Sequence, residues 1–227
     1  MRVKFQAPLL AAIAGYVDTL GFVALFGLFT VHVTGNFILI GAEVAGKGSG
    51  IALKLAAFPA FVAGVAFAKL IAVMLSGLPR ATLERTLLAL QAAFLCVFLA
   101  AGLAALPITS SDSWHVMLCG VCGAFAMAIQ NALPRLVATP GVPTTVMTGN
   151  VTQAVLDMIQ VFIERDPIQR AAVRARIAAT LTPVGGFAIG SIAGALAFAS
   201  LSFWALAVPV VLLVGLAFSV PATAAQA

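Results

Sequence analysis

The sequence has 227 residues, of which 63% are apolar and only 8% charged, with a net charge of +5. Soluble domains are about 45–50% apolar and about 25% charged. A mean hydropathy of +1.15 therefore excludes a soluble enzyme, a disordered chain and a nucleic-acid-binding domain.

A spanning helix needs about 20 apolar residues. Six segments qualify: 7–29, 53–77, 86–107, 114–133, 178–200 and 201–220. In the first, Ala12-Ile13-Ala14 resembles a signal-peptidase site, but the apolar run continues to Phe29 and reads as a membrane helix. Residues 34–46 form a short helix, about 20 Å long at ~1.5 Å per residue, too short for a core of ~30 Å. A loop follows at Gly46-Lys47-Gly48-Ser49-Gly50, and another runs from Leu106-Pro107 to Ser113. Cys119 and Cys122 sit in an apolar segment with no second pair or His cluster, and read as small packing residues. After a loop at Thr139-Pro140-Gly141-Val142-Pro143, residues 145–163 carry Asn150, Gln153, Asp157 and Gln160 as a polar stripe. Asp166-Pro167 reads as an N-cap and first helical position. It opens a short basic helix whose Arg170, Arg174 and Arg176, with Arg165, are expected to face anionic headgroups. Trp114 and Trp204 begin spans, as interfacial anchors do. His32 and His115 lie near span ends and read as interfacial.

The chain resembles itself. Val33-Thr34-Gly35-Asn36 recurs as Met147-Thr148-Gly149-Asn150, 114 positions later, and Glu43 then falls on Asp157. At offset 113, Asp18 falls on Asn131. Phe61 and Gly64 align with Phe187 and Gly190. Ala60, Gly64 and Ala68 then match Gly186, Gly190 and Gly194, stripes of small residues that let membrane helices approach closely. The expected fold is an all-α polytopic membrane bundle, one integral domain over 1–227. It would contain two repeats, about 7–107 and about 114–220.

Two topologies fit. If both TGN helices span, there are eight spans and parallel halves. If they re-enter, there are six spans, three per half, in opposite orientation. The N-terminus is cytoplasmic in both. The re-entrant arrangement places nine Lys/Arg inside and two, Lys47 and Lys54, outside. The short, polar TGN helices favour it.

Ala14-Gly15-x-x-Asp18-x-x-Gly21, Thr34-Gly35-Asn36, Gln130-Asn131-Ala132 and Thr144-Thr145-x-x-Thr148-Gly149-Asn150 together resemble the YoaK-like family, over about residues 8–200. This is a group of bacterial membrane proteins catalogued as a domain of unknown function, number 1275. The resemblance implies a bacterial inner-membrane location and brings no substrate.

Polar groups in a membrane are costly and mark function or tight pairing. Asp18 lies at the middle of its span and Lys69 about one turn past the middle of another. They read either as lining a solute or proton pathway or as an ion pair. Thr34 and Thr148 are expected to cap helices that start inside the membrane, where free N–H groups and the dipole would meet a solute. Asp18, Thr34, Asn36, Gln130, Asn131, Thr148 and Asn150 are the candidate binding residues, expected around one midplane cavity. Asp18, Glu43, Lys69 and Asp157 are the candidate proton- or ion-coupling groups. Alternatively, Glu43 and Asp157 bridge to Lys47 and Arg165.

The leading functional reading is a transporter or channel for a small polar or anionic solute. The other is a non-transporting interaction protein with a dry core. No enzyme motif, cofactor or metal site is read. The expected partners are the lipid bilayer, a small solute whose identity the sequence does not give, and a second copy of the chain, with no nucleic acid.

Overall fold

The computed structural model describes residues 3–137 and 143–221, with side chains from Gln6 onward in the first helix. Arg2, the Lys4 side chain and loop residues 139–142 lie outside this set. Among the described residues all regular structure is helical: α1 (Val3–Ala24), α2 (Gly35–Val44), α3 (Ile51–Met74), α4 (Arg80–Ala104), α5 (Trp114–Leu136), α6 (Met147–Ile163), α7 (Pro167–Leu201) and α8 (Ala207–Ser219). Five stretches are long and apolar enough to cross a membrane: Gln6–Ala24, Ile51–Met74, Arg80–Ala104, Trp114–Leu136 and Pro167–Ser219. The protein is a polytopic helical membrane bundle.

Two boundaries differ from expectation. The first helix ends at Ala24, five residues before Phe29, because the chain turns back through Phe26 (φ 53°) and Gly27 (φ 76°). The basic helix after Asp166 and the span 178–200 are one continuous 35-residue helix. Asp166 caps it, accepting from the Ile168 N–H at 2.9 Å. Pro183 does not break it; the Thr182 hydroxyl reaches the Ala179 carbonyl that Pro183 leaves unpaired, at 3.5 Å. The last two expected spans fall within one apolar stretch, divided by a 3-10 segment at Ser202–Leu206. That segment and α8 together rise about 30 Å, at ~2.0 and ~1.5 Å per residue.

The small-residue stripes set the packing. A Cβ on Gly186, Gly190 or Gly194 would overlap the carbonyl oxygens of Pro8, Ala12 and Tyr16 in turn. Helix α7 therefore runs parallel to α1 at backbone contact. On the other side, a Cβ on Gly64 would stand 2.7 Å from the Ala128 Cβ and 2.8 Å from the Phe125 carbonyl oxygen. Leu53 meets Gly120, so α3 runs parallel to α5. Dispersion at such close approach replaces the hydrophobic drive that lipid cannot supply. Helices α1 and α5 are the most buried spans. Cys119 and Cys122 are both free thiols buried in α5.

Both short helices, α2 with 10 residues and α6 with 17, are shorter than the five candidate spans. Lys54 at the start of α3 donates to the Phe26 carbonyl, the Ser49 carbonyl and Glu43 on α2. The end of α1, the end of α2 and the start of α3 thus share one end of the bundle. At the opposite end Gln6 bonds Glu84, and Arg85 bonds the Val220 carbonyl. Helix α6 starts beside the C-terminal part of α5, through Asn131 and Thr145, and returns along the first turns of α7, through Asp157 and Arg176.

Candidate functional site

Each short helix is preceded by a segment without regular structure, whose backbone groups need partners inside a membrane protein. In the first half Asp18 supplies them. Its Oδ1 accepts from the Thr30 and Val31 N–H groups, both at 2.7 Å, and from the Thr30 hydroxyl at 3.4 Å. Its Oδ2 lies 2.6 Å from His32 Nδ1. The turn at Phe26-Gly27 folds the chain back so that residues 30–32 face α1 two turns before its end. Asn36 completes the clamp: its Oδ1 accepts from the Phe29 N–H at 2.9 Å, and its Nδ2 donates to the Phe29 carbonyl at 2.8 Å.

Around α6 a comparable set of contacts is made by other side chains. Asn131 Nδ2 donates to the Thr145 hydroxyl at 2.7 Å. Asn150 Nδ2 donates to the Pro143 carbonyl at 2.7 Å, again seven residues upstream. Arg135 donates to the Asn131 side-chain and main-chain oxygens at 2.8 and 2.7 Å. Buried Gln130 donates to the Leu10 carbonyl at 2.7 Å and to the Thr144 hydroxyl at 3.4 Å, and accepts from Gln91 at 2.7 Å.

A cavity opens beside each clamp. The first, about 290 Å³, is lined by Asp18, Thr19, Phe22, Phe29, His32 and Phe187. The second, about 120 Å³, is lined by Asn131, Pro134, Arg135, Pro143, Thr144 and Thr145. Asp18 and Asn131, Phe22 and Arg135, and Phe29 and Pro143 are matched positions at offsets 113 and 114.

Several expectations are corrected. Among the described cavities none is lined by all the expected binding residues: Asn36 and Asn150 line neither of these two, and each is spent on its own loop. Thr34 stands at the α2 cap position without a side-chain capping bond, and Thr148 lies inside α6, whose cap position is Val146. Asp18 does not pair with Lys69. It is saturated by the loop and His32, while Lys69 is exposed on α3, where a long side chain can reach towards the helix end. His32, expected only near a span end, is a partner of Asp18, with its side chain 39% exposed.

The acids of the short helices also take other partners than expected. Glu43 pairs with Lys54, not Lys47, because the α2–α3 turn brings the first turn of α3 back over α2. Asp157 pairs with Arg176, not Arg165. Arg176 contacts Oδ1 at 2.6 Å and Oδ2 at 2.7 Å in a forked contact. Arg176 is thus an ion-pair residue first, although its side chain keeps 54% exposure. Lys54 keeps 1%, and Glu43 Oε2 is buried without a hydrogen-bond partner among the described residues.

Donation of a hydrogen bond to the Asp18 carboxylate raises the His32 pKa above its ordinary 6.5, against the lowering effect of burial. His32, Lys54, Arg135 and Gln91 are the functional candidates that sequence reading passed over. The available signal was a shared offset: Thr30 and Thr144 are 114 positions apart, as are Asn36 and Asn150. Among the described residues no three His, Cys, Asp or Glu side chains converge as metal ligands.

A family model described as "Protein of unknown function (DUF1275)" matches residues 6–219. The chain is also similar to the UPF0700 transmembrane protein YoaK of Bacillus subtilis (strain 168), at 27% identity over 217 residues, covering 92% of this chain and 89% of that protein. No solved structure matches.

Proposed function

The chain belongs to the DUF1275 family of proteins of unknown function, and we propose that it is a membrane transporter or channel for a small polar solute, built from two halves in inverted orientation. The observation that carries this reading is the pair of cavities at repeat-matched residues, each beside a loop and short helix that interrupt the bundle. Transporters built from inverted repeats bind their solutes at interrupted helices of this kind. The reciprocal packing of α1 on α7 and α3 on α5 supports the duplication: the first long helix of each half lies along the second long helix of the other. A scaffold would have no need of two cavities at equivalent places.

The charge distribution supports a cytoplasmic N-terminus in a bacterial inner membrane. The end of the bundle where α1 begins carries Arg80, Arg85, Arg135 and the arginines around the start of α7; the other end carries Lys47 and Lys54. Asp18 and His32 are the titratable groups of the larger cavity and the candidates for coupling to protons.

One observation favours the second reading, a non-transporting scaffold: Asn36 and Asn150 act as internal clamps. A flux screen in proteoliposomes separates the two. Transport predicts uptake of at least one solute that Asp18→Asn abolishes; a scaffold predicts vesicles as tight as protein-free ones for every solute tried.

A further inference from the structure

The backbone N–H groups that sequence reading offered to an anion are not free in the first half. Those of Phe29, Thr30 and Val31 are bound to Asn36 and Asp18. What remains around the 290 Å³ cavity is aromatic and acidic. Phe22, Phe29, His32 and Phe187 form a continuous chain of rings, with successive centroids 4.9, 6.2 and 5.4 Å apart. Asp18 lines the same cavity, almost wholly buried. Aromatic rings beside a carboxylate, with no lysine or arginine among the lining residues, attract a desolvated cation and gain little from an anion. The volume, just below the ~300–1,000 Å³ of typical ligand pockets, limits the ligand to a small one.

We propose that this cavity binds a small organic ammonium ion, and that the ligand and a proton on His32 compete for the charge of Asp18. The ligand class deepens the transport reading and rests on it, while binding itself is measurable without flux. The competition follows from charge. With neutral His32 the dyad carries the single negative charge of Asp18, which a ligand cation can neutralise. With protonated His32 the dyad is already neutral and its imidazolium repels the ligand. Among the described residues that line this cavity, the charged or titratable group facing His32 is Asp18 on α1. Helix α7 presents Phe187, and the loop before α2 presents Thr30 and Phe29. The matched cavity of the other half has Arg135 in place of Phe22 and Asn131 in place of Asp18, so the same ligand is excluded there.

The test uses the purified full chain in detergent and calorimetric titration with choline. The control is its uncharged carbon isostere, 3,3-dimethylbutan-1-ol. At pH 8 choline should bind at least tenfold more tightly than the isostere, and at pH 5.5 at least tenfold more weakly than at pH 8. Phe187→Leu removes a ring outside the Asp18 clamp. It should weaken choline about tenfold with an unchanged melting temperature, so that lost affinity is not lost folding. Equal binding of choline and isostere, binding independent of pH, or no binding of choline overturns the inference. Flux of other solutes without choline binding would leave the transport reading standing and this one refuted. Choline binding without flux of any solute would do the reverse.

Discussion

In the first half the loop before the short helix is held by a carboxylate; in the second, at the matched position, by an amide. Asp18 accepts from two backbone N–H groups and pairs with an imidazole, whereas Asn131 donates to one hydroxyl and accepts from Arg135. The acid–base pairs differ in the same sense. Glu43–Lys54 is buried on both sides, while Asp157–Arg176 has one partner open to solvent. Around the two loops the chemistry differs: the first is acidic and aromatic and has a buried ion pair nearby, the second carries Arg135 and has an ion pair open to solvent. A symmetric pore would have no use for that difference, but a path with two unlike ends would.

The comparison breaks most visibly at the ion pairs. Removing one partner of a buried pair costs about 3–5 kcal/mol, because the other charge is stranded. Lys54→Met should therefore cost stability in that range and lower the melting temperature sharply in detergent. Arg176→Met should cost clearly less, since water can reach Asp157 along the path the guanidinium leaves. Equal losses would show that the two pairs are equally buried in the membrane-embedded protein.

Next in size is the packing of α7 on α1. Overpacking a close contact costs about 1–3 kcal/mol. Gly190→Leu meets backbone and should reach the top of that range. Gly64→Leu meets the Ala128 methyl as well as the Phe125 carbonyl, and should cost somewhat less. An unchanged melting temperature for either variant would mean that its stripe faces lipid.

The smallest effect is the pH dependence of the clamp. The His32 pKa is raised in the folded state, so its stabilising contribution is fully present below about 6.5. It is lost as pH rises from there through the raised value. The melting temperature should fall over that interval, and His32→Gln should flatten the fall. The second half has Val146 at the position of His32, so no similar slope is expected from it.

Much of this architecture was legible in the sequence because it rests on composition and periodicity. Membrane character, the spans and the small-residue stripes follow from apolar length and from glycine every fourth residue. The matched TGN segments located the two interruptions. What did not follow was partner choice. Asp18 and Lys69 attract one another on paper, but the turn at Phe26-Gly27 delivers two N–H groups and His32 to Asp18 first. On sequence alone, a helix start with free N–H groups turns Asn36 towards a solute. The fold uses that amide on Phe29, a choice made by the loop's own unpaired backbone. Lys54 and Arg176 read as membrane-surface charges, since nothing in their local sequence shows that Glu43 on α2 and Asp157 on α6 come to lie against them.

Inverted halves are the central claim, and the side on which the two short helices end tests it most directly. Ser49, after α2, and Arg165, after α6, are both exposed. With Cys96, Cys119 and Cys122 replaced, single cysteines at Ser49 and Arg165 can be labelled in intact cells by a reagent that does not cross the membrane. Inverted halves predict labelling of Ser49→Cys from outside and of Arg165→Cys only after the membrane is opened. Labelling of both from the same side would contradict the account and favour eight spans with parallel halves.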